Sequence, residues 1–304
     1  MPRVSVLLTC YNHLAYLPAA FGSICAQTYT DLEIIALDDG STDGTREWLK
    51  ENAKNARLIF NAKNLGTYGT LNVGLHHAQG ELVAVLNDDD VWKPSKLERQ
   101  VALLDGHPTV GLVHTDGSFI DAEGRRMEGS PLGFDFPRTE TGDVLLSLVY
   151  ANKIIASAAL VRKRCFEELG GFNEAYFGSG DWEMWYRIAE RYHVGYVADE
   201  LTLYRVHGAN ASHKLERIWQ DDERIRTWIG GRYDELEKHG TAQDVRKAMA
   251  HNEACLGTVK VLNGDPAGGR EAFRRSLRYD PGRWKSRLRW AASYLPRSLF
   301  RRLL

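Results

Sequence analysis

The sequence predicts an α/β fold built on a mostly parallel sheet, and three observations carry that reading. Short apolar, β-branched runs alternate with segments of helical periodicity through the first 90 residues. Strands alternating with helices of this size form βαβ units. Polar and acidic residues follow directly on several of the apolar runs, and open parallel sheets bind their ligands at that end of the strands.

RVSVLLT (3–9) has the β-branched, apolar content of a buried strand, and an amphipathic segment follows in LAYLPAAFGSICAQ (14–27). LEIIALD (32–38) is a second strand, and STDGTREWLKENA (41–53) opens with capping residues before helical spacing. RLIF (57–60) is a short strand, TLNVGLHHAQ (70–79) a helix and ELVAVLN (81–87) another strand. In KPSKLERQVALL, Ser95 and Glu98 have the spacing of a capping box, so a helix is expected to start there. The stretch 107–150 is less regular, with a strand in VGLVHT (110–115) and a Gly/Pro-rich loop at 128–138. Residues 151–172 read as strand then helix, 181–191 as a helix and HVGYVAD (193–199) as a strand. From about 216 onward the pattern is helical, and 257–281 has the look of one helix-turn-helix unit of tetratricopeptide type, without a second copy. The expected division is therefore 1–215 for the α/β domain and 216–304 for a helical extension.

The chain has 304 residues, 43% hydrophobic and 26% charged, which is the composition of a globular protein. The opening MPRVSVLLTCYNH runs straight into a strand pattern and does not resemble a signal peptide. Runs such as IIASAALV (154–161) fall short of the ~20 apolar residues that cross a bilayer. A soluble, cytoplasmic protein is expected. Cys10, Cys25, Cys165 and Cys255 are widely spaced, which points to free thiols rather than a disulfide frame or zinc site. Residues 216–304 carry 19 Lys and Arg against 12 Asp and Glu, whereas 1–215 carry 20 against 28. An acidic first part and a basic tail imply two different surfaces.

Three groups stand just past strand ends: Thr9-Cys10-Tyr11-Asn12, Asp38-Asp39-Gly40-Ser41 and Asp88-Asp89-Asp90. In a parallel sheet they converge on one crevice. Carboxylates gathered there without Lys or His in the motif suit a hard divalent cation, Mn²⁺ or Mg²⁺, whose remaining ligands a diphosphate supplies. Such an ion neutralises charge on a departing phosphate. The plainer alternatives are a solvated acidic turn at 88–90 and turn or N-cap duty for Asp38 to Asp43.

Together these pieces resemble the family 2 glycosyltransferases, whose fold is GT-A. The resemblance rests on PRVSVLLTCYNH (2–13), QTYTDLEIIALDDGSTDGT (27–45), NLGTYGTLNVGLHHAQGELVAVLNDDDVW (64–92), GGFNEAYFGSGDWEMWYRI (170–188) and YRVHGANAS (204–212), in the family's order. It implies a Rossmann-like, mostly parallel sheet flanked by helices and a transfer from a nucleotide-diphosphate sugar, with UDP favoured. Thr9 and Tyr11 match positions lining the nucleotide pocket, with Asn12 beside them. Asp39 matches an acceptor for the uracil N3–H, with Asp38 adjacent, and Gly66 matches a loop glycine passing close to the nucleotide. Asp88 matches the acid that faces the ribose. Asp89 matches the acid that holds the metal, and His207 matches a histidine that meets the diphosphate or the metal. Asn87 departs from the usual aspartate, leaving Asp90 as a candidate to assist Asp89. Asp181 matches the catalytic base. An inverting displacement needs one carboxylate to take the acceptor hydroxyl's proton, and a helix start favours its negative charge. Arg205, Asn210 and Ser212 are weaker candidates for a loop closing over the nucleotide. Trp182 is divided between sugar contact and core, Trp185 is read as core, and His76, His77, His107 and His114 as structural or surface residues.

Residues 283–302 interleave Arg283, Lys285, Arg287, Arg289, Arg297, Arg301 and Arg302 with Trp284, Leu288, Trp290, Tyr294, Leu295, Leu299 and Phe300. This is either an interfacial helix for anionic lipid at the inner membrane face or a helix packing its apolar side on the protein. The rest of the chain is acidic and has no nucleic-acid motif, so a nucleic-acid partner is not expected. The acceptor is expected to be a saccharide or a lipid-linked molecule. Two rivals stand beside the transferase. A sugar-phosphate nucleotidyltransferase calls for a Gly-rich basic loop near the N-terminus, absent from VSVLLTCYNH. A non-catalytic nucleotide-sugar binding module would not need both Asp89 and Asp181.

Overall fold

A computed structural model describes residues 1–129, 131–210 and 213–303. In chain order the first elements are β1 (Val4–Cys10), α1 (Leu17–Cys25), β2 (Leu32–Asp38), α2 (Thr45–Asn52), β3 (Ala56–Phe60), α3 (Gly66–His77), β4 (Leu82–Asn87) and β5 (Val91–Trp92). Next come α4 (Lys96–Gly106), β6 (Val110–Ile120), α5 (Leu145–Tyr150), β7 (Leu160–Arg162), α6 (Lys163–Leu169), α7 (Gly180–Ala189) and β8 (His193–Arg205). Six helices follow: α8 (Leu215–Gly230), α9 (Tyr233–Leu236), α10 (Ala242–Leu262), α11 (Pro266–Tyr279), α12 (Trp284–Ala292) and α13 (Arg297–Arg302).

The described residues form two compact units. One comprises 1–129, 131–144, 153–176 and 180–210; the other comprises 145–152, 177–179 and 213–303. The first holds a single sheet with strand order β3-β2-β1-β4-β7-β6-β8-β5. Its first four strands are parallel, and β7 runs antiparallel to both β4 and β6. β1 is buried from end to end and β4 as far as Asn87, as parallel strands covered on both faces must be. The register places Cys10 opposite Asp38 and Thr9 opposite Asn87, so the polar groups after β1, β2 and β4 leave the sheet at one level.

Two strands run longer than their apolar patterns suggest. β6 continues past Thr115 and β8 past Asp199, with register shifts between them at Thr115/Asp116 and Asp116/Gly117. A bulge breaks the period-2 pattern, which hides the continuation from sequence. Gly117 is required there, since a Cβ would lie 2.1 Å from the Thr202 carbonyl oxygen. The expected capping box is not formed. Ser95 stands at the N-cap of α4 with φ −88° and ψ 8° and its hydroxyl makes no cap hydrogen bond, while Glu98 accepts from Thr28 Oγ1 at 2.6 Å. A capping serine needs extended backbone, which this one lacks. On the same helix Lys96 is fully buried, its Nζ 4.0 Å from the centre of the Trp92 ring and 2.8 Å from Gln100 Oε1.

In the second unit α10 and α11 form a helical hairpin. Asp265 caps α11 by accepting from the Gly268 N–H at 2.8 Å, and Pro266 opens it. The two helices approach through glycines: a Cβ on Gly257 would meet the Phe273 ring at 2.7 Å and the Gly269 carbonyl at 2.9 Å. Phe300 of α13 is fully buried with Val261, Leu262 and Phe273, and Trp290 packs against them. Trp284, Leu288, Tyr294, Leu295, Leu299 and Leu303 are exposed. Among the described residues no helix is long and apolar enough to cross a membrane.

Candidate active site

The loops after β1, β2 and β4 are tied to one another by side-chain-to-backbone hydrogen bonds. Asn12 has φ 54°; its Oδ1 accepts from the Thr42 N–H at 2.8 Å and its own N–H donates to Ser41 Oγ at 3.1 Å. Asp38 is fully buried, accepts from the backbone of Gly40 and Ser41, and pairs with Arg46. In this structure it serves the turn and presents no surface to a ligand. Asp39 accepts from the N–H groups of Leu65 at 2.7 Å and Gly66 at 3.0 Å and from Asn61 Nδ2 at 3.0 Å. Those bonds occupy three of a carboxylate's roughly four acceptor positions. Gly66 starts α3 at φ +78°, a conformation that glycine adopts without strain. Thr9 donates to Asn87 Oδ1 at 3.1 Å, and Tyr11 is 45% exposed beside it.

The three aspartates of 88–90 divide their contacts. Asp88 accepts from the Tyr11 N–H at 2.8 Å through Oδ2 and meets His13 Nδ1 at 2.9 Å through Oδ1. Asp90 turns the other way, its Oδ2 accepting from Ser157 Oγ at 2.5 Å and its Oδ1 from the Arg205 N–H at 2.9 Å. Asp90 therefore braces the end of β8. Asp89 Oδ2 lies 3.1 Å from His207 Nε2 and 3.3 Å from Asn210 Nδ2. Arg205 donates to the Asp89 carbonyl at 2.8 Å and stacks over Tyr16, so it holds the loop from behind. Ser212 lies outside the described residues.

Burial pushes the Asp88 carboxyl up from the ordinary value, against the His13 hydrogen bond, and the charge of Asp89 pushes it further. Asp90 is pushed well up, by burial and then by Asp89. Burial works against charge on the His13 ring, yet the Asp88 hydrogen bond and the nearby acids outweigh it and raise its pKa. Buried carboxylates this close disfavour one another's charge, which a cation beside them would offset. One ligand atom from each of His13, Asp89 and His207 can be chosen so that all lie within 4.8 Å of one another, and these residues fit a divalent ion. His13 escapes the sequence reading because it precedes the acids by some 75 positions; its place in YNH after β1, between Tyr11 and the first helix, was the available signal.

Asp181 lies in the first turn of α7, 9% exposed, and its Oδ1 accepts from the Trp182 N–H at 2.7 Å and the Tyr68 hydroxyl at 3.4 Å. A Cβ on Gly180 would sit 2.8 Å from the Tyr68 ring, so glycine is needed for that approach. Tyr68 stands two residues along α3 from Gly66, whose N–H Asp39 holds. The carboxylate of α7 and the loop after β2 are thus joined through the first turn of one helix. Trp185 is fully buried and donates to the Ile154 carbonyl at 3.1 Å, as a core residue; Trp182 is 5% exposed.

Residues 5–170 match the family model described as "Glycosyl transferase family 2". The chain belongs to this family. Among its relatives in the family, proteins described as uncharacterised glycosyltransferases include one from Nostoc sp., 32% identical over 223 residues, covering 68% of this chain and 66% of that protein. Another, from Haemophilus influenzae, is 30% identical over 225 residues, covering 69% and 68%. A third, from Rickettsia felis, is 29% identical over 218 residues and covers 70% of this chain, which spans only 36% of that protein's length. Of solved structures, residues 1–349 of S. aureus TarS superpose with a TM-score of 0.66 at 16% identity, covering 98% of this chain and 90% of that one. TarS 1–349 has also been solved in complex with UDP-GlcNAc. The mannosyltransferase PcManGT from Pyrobaculum calidifontis, in complex with GDP-Man and Mn²⁺, has a TM-score of 0.58 at 23% identity, covering 91% and 75%. The fold of this family 2 chain is GT-A, with a mostly parallel central sheet flanked by helices.

Proposed function

We propose that the protein is an inverting glycosyltransferase that moves a sugar from a nucleotide-diphosphate donor, UDP-linked by preference, to a hydroxyl of a saccharide or lipid-linked acceptor. The observation that carries this reading is the link Asp39–Gly66–Tyr68–Asp181, which joins a carboxylate able to act as base to the loop expected at the nucleotide. Thr9, Tyr11 and Asn12 line the base and ribose region, Gly66 lets backbone approach the donor, and Asp39 offers its remaining acceptor position to the base. Asp88 fixes the Tyr11 backbone at the ribose end, and Asp38 holds the turn behind Asp39. Asp89 and His207 would hold Mn²⁺ or Mg²⁺, which would supply charge neutralisation at the diphosphate. Asp181 takes the acceptor's proton at a carboxylate oxygen as the hydroxyl attacks the anomeric carbon, while the Tyr68 hydroxyl orients that carboxylate.

TarS with UDP-GlcNAc and PcManGT with GDP-Man differ in base, so a thermal-shift panel of UDP, GDP and dTDP with Mn²⁺ or with EDTA addresses the donor. A nucleotide at 100 times its Kd adds about 2.7 kcal/mol to stability. The Asp181→Asn variant is expected to keep that shift and lose transfer. Turnover by the variant, or no metal-dependent shift with any nucleotide, overturns the reading.

We also infer peripheral contact with anionic lipid, at the cytoplasmic face, through the tail. Its inward side is spent on Phe300 and Trp290, while Trp284 at 60% and Leu288 at 59% exposure share a face of α12 beside Arg287 and Lys285. Apolar side chains left outward among cations suit an interface with acidic headgroups. The double variant Trp284→Ala/Leu288→Ala is expected to sediment several-fold less with phosphatidylglycerol vesicles than the parent chain; equal binding sinks the idea.

A further inference from the structure

We propose that His13 is a second imidazole ligand of the metal site, giving it two nitrogens and one carboxylate and a preference for Mn²⁺ over Mg²⁺. The inference rests on the metal-assisted transferase reading above. Its basis is the division of labour among the acids. Asp90 is committed to Ser157 and Arg205, and Asp88 to the Tyr11 N–H and His13 Nδ1, which leaves Asp89, beside His207, as the carboxylate of the turn available to an ion.

His13 is held as a metal-binding histidine is held. Its Nδ1 meets Asp88 Oδ1 at 2.9 Å, and the other Asp88 oxygen is fixed by the Tyr11 N–H at 2.8 Å. A carboxylate accepting at Nδ1 places the proton there and leaves the Nε2 lone pair for an ion, the carboxylate–histidine–metal arrangement. Nε2 makes no hydrogen bond among the described residues, and the side chain retains 22% exposure, enough to be reached. The ring stands edge-on to His207 with centroids 5.0 Å apart, and the Tyr16 ring lies 4.7 Å from His207 and 6.1 Å from His13. Ligand bonds of about 2.0–2.2 Å bring donor atoms to within about 4.4 Å of each other around one ion. The 4.8 Å bound on the atoms of His13, Asp89 and His207 is within a few tenths of that limit.

The ligand types decide the metal. Mg²⁺ demands oxygen ligands and keeps its waters, whereas imidazole suits the first-row transition ions. A site with Asp89 alone as protein carboxylate and two imidazoles beside it discriminates against Mg²⁺ while leaving coordination positions open to diphosphate oxygens.

The test uses the full chain at pH 8, labelled with ¹⁵N-histidine and loaded with Mn²⁺. Pulsed electron–nuclear double resonance is expected to show two coupled imidazole nitrogens in the parent chain and one in either His13→Gln or His207→Gln. By titration calorimetry with the metal alone, His13→Gln is expected to weaken Mn²⁺ at least tenfold and leave Mg²⁺ within twofold. A single coupled imidazole in the parent chain, which needs no variant to read, overturns the assignment of His13 and leaves the transferase reading standing. An unchanged Mn²⁺/Mg²⁺ ratio in the variant does the same. No Mn²⁺ bound by the parent chain, even with UDP or GDP present, overturns both.

Discussion

Asp90 is the residue whose neighbours decide its meaning. Three adjacent aspartates look like one acidic motif, yet Asp90 is 1% exposed and spends its oxygens on the Ser157 hydroxyl and the Arg205 N–H. Replacing it with alanine leaves two buried donors without an acceptor, which costs about 1–3 kcal/mol for each unsatisfied group. Asp90→Ala is therefore expected to lower the urea midpoint by an amount worth about 2 kcal/mol or more, with Asp90→Asn, which keeps one acceptor oxygen, losing less. A midpoint equal to the parent's would show that the brace is unimportant. The direction in which each aspartate turns was not legible in VLNDDDVW, because it depends on a serine 67 positions later and on the end of a strand 115 positions later. The convergence of the three polar groups was legible, since strand ends in a parallel sheet share one edge.

At the scale of elements, the strands with uninterrupted apolar runs were readable almost to the residue, LEIIALD being β2 itself. β6 and β8 were cut short because bulges and polar residues interrupt their period. Helix α4 carries a feature that pattern alone conceals, a lysine at a core position. Burial holds the Lys96 ammonium well below its ordinary value of 10.5. Between that lowered value and 10.5 the unfolded chain binds more protons than the folded one, so Lys96 adds stability as pH rises through this window. Stability measured by urea at pH 7, 8, 9 and 10 is expected to rise more in the parent chain than in Lys96→Met. Parallel curves for the two would mean that Lys96 stays charged in its site.

The whole molecule meets acid with two histidines held neutral. Burial lowers His114 to about 3, where its Nε2 bonds Thr139 Oγ1 at 2.7 Å, and burial with Arg226 and Arg283 lowers His251 to about 4. Below the unfolded value near 6.5 the unfolded chain takes up these protons first, so stability is lost as pH falls from 6.5 toward those values. His114→Gln is expected to remove about 1.4 kcal/mol of that loss per pH unit between 6 and 4, read from urea midpoints. An unaltered acid slope would place the proton uptake elsewhere. The second unit is drawn from three stretches of chain, and Leu145, Leu148 and Val149 of α5 are fully buried within it, with Arg226 and His251 reaching the carbonyls of Val149 and Tyr150. On the ribosome, α5 emerges some 65 residues before α8. Its apolar side waits uncovered through that interval, a window for chaperones. The helical part is not contiguous in sequence, since α5 precedes the last strand of the sheet.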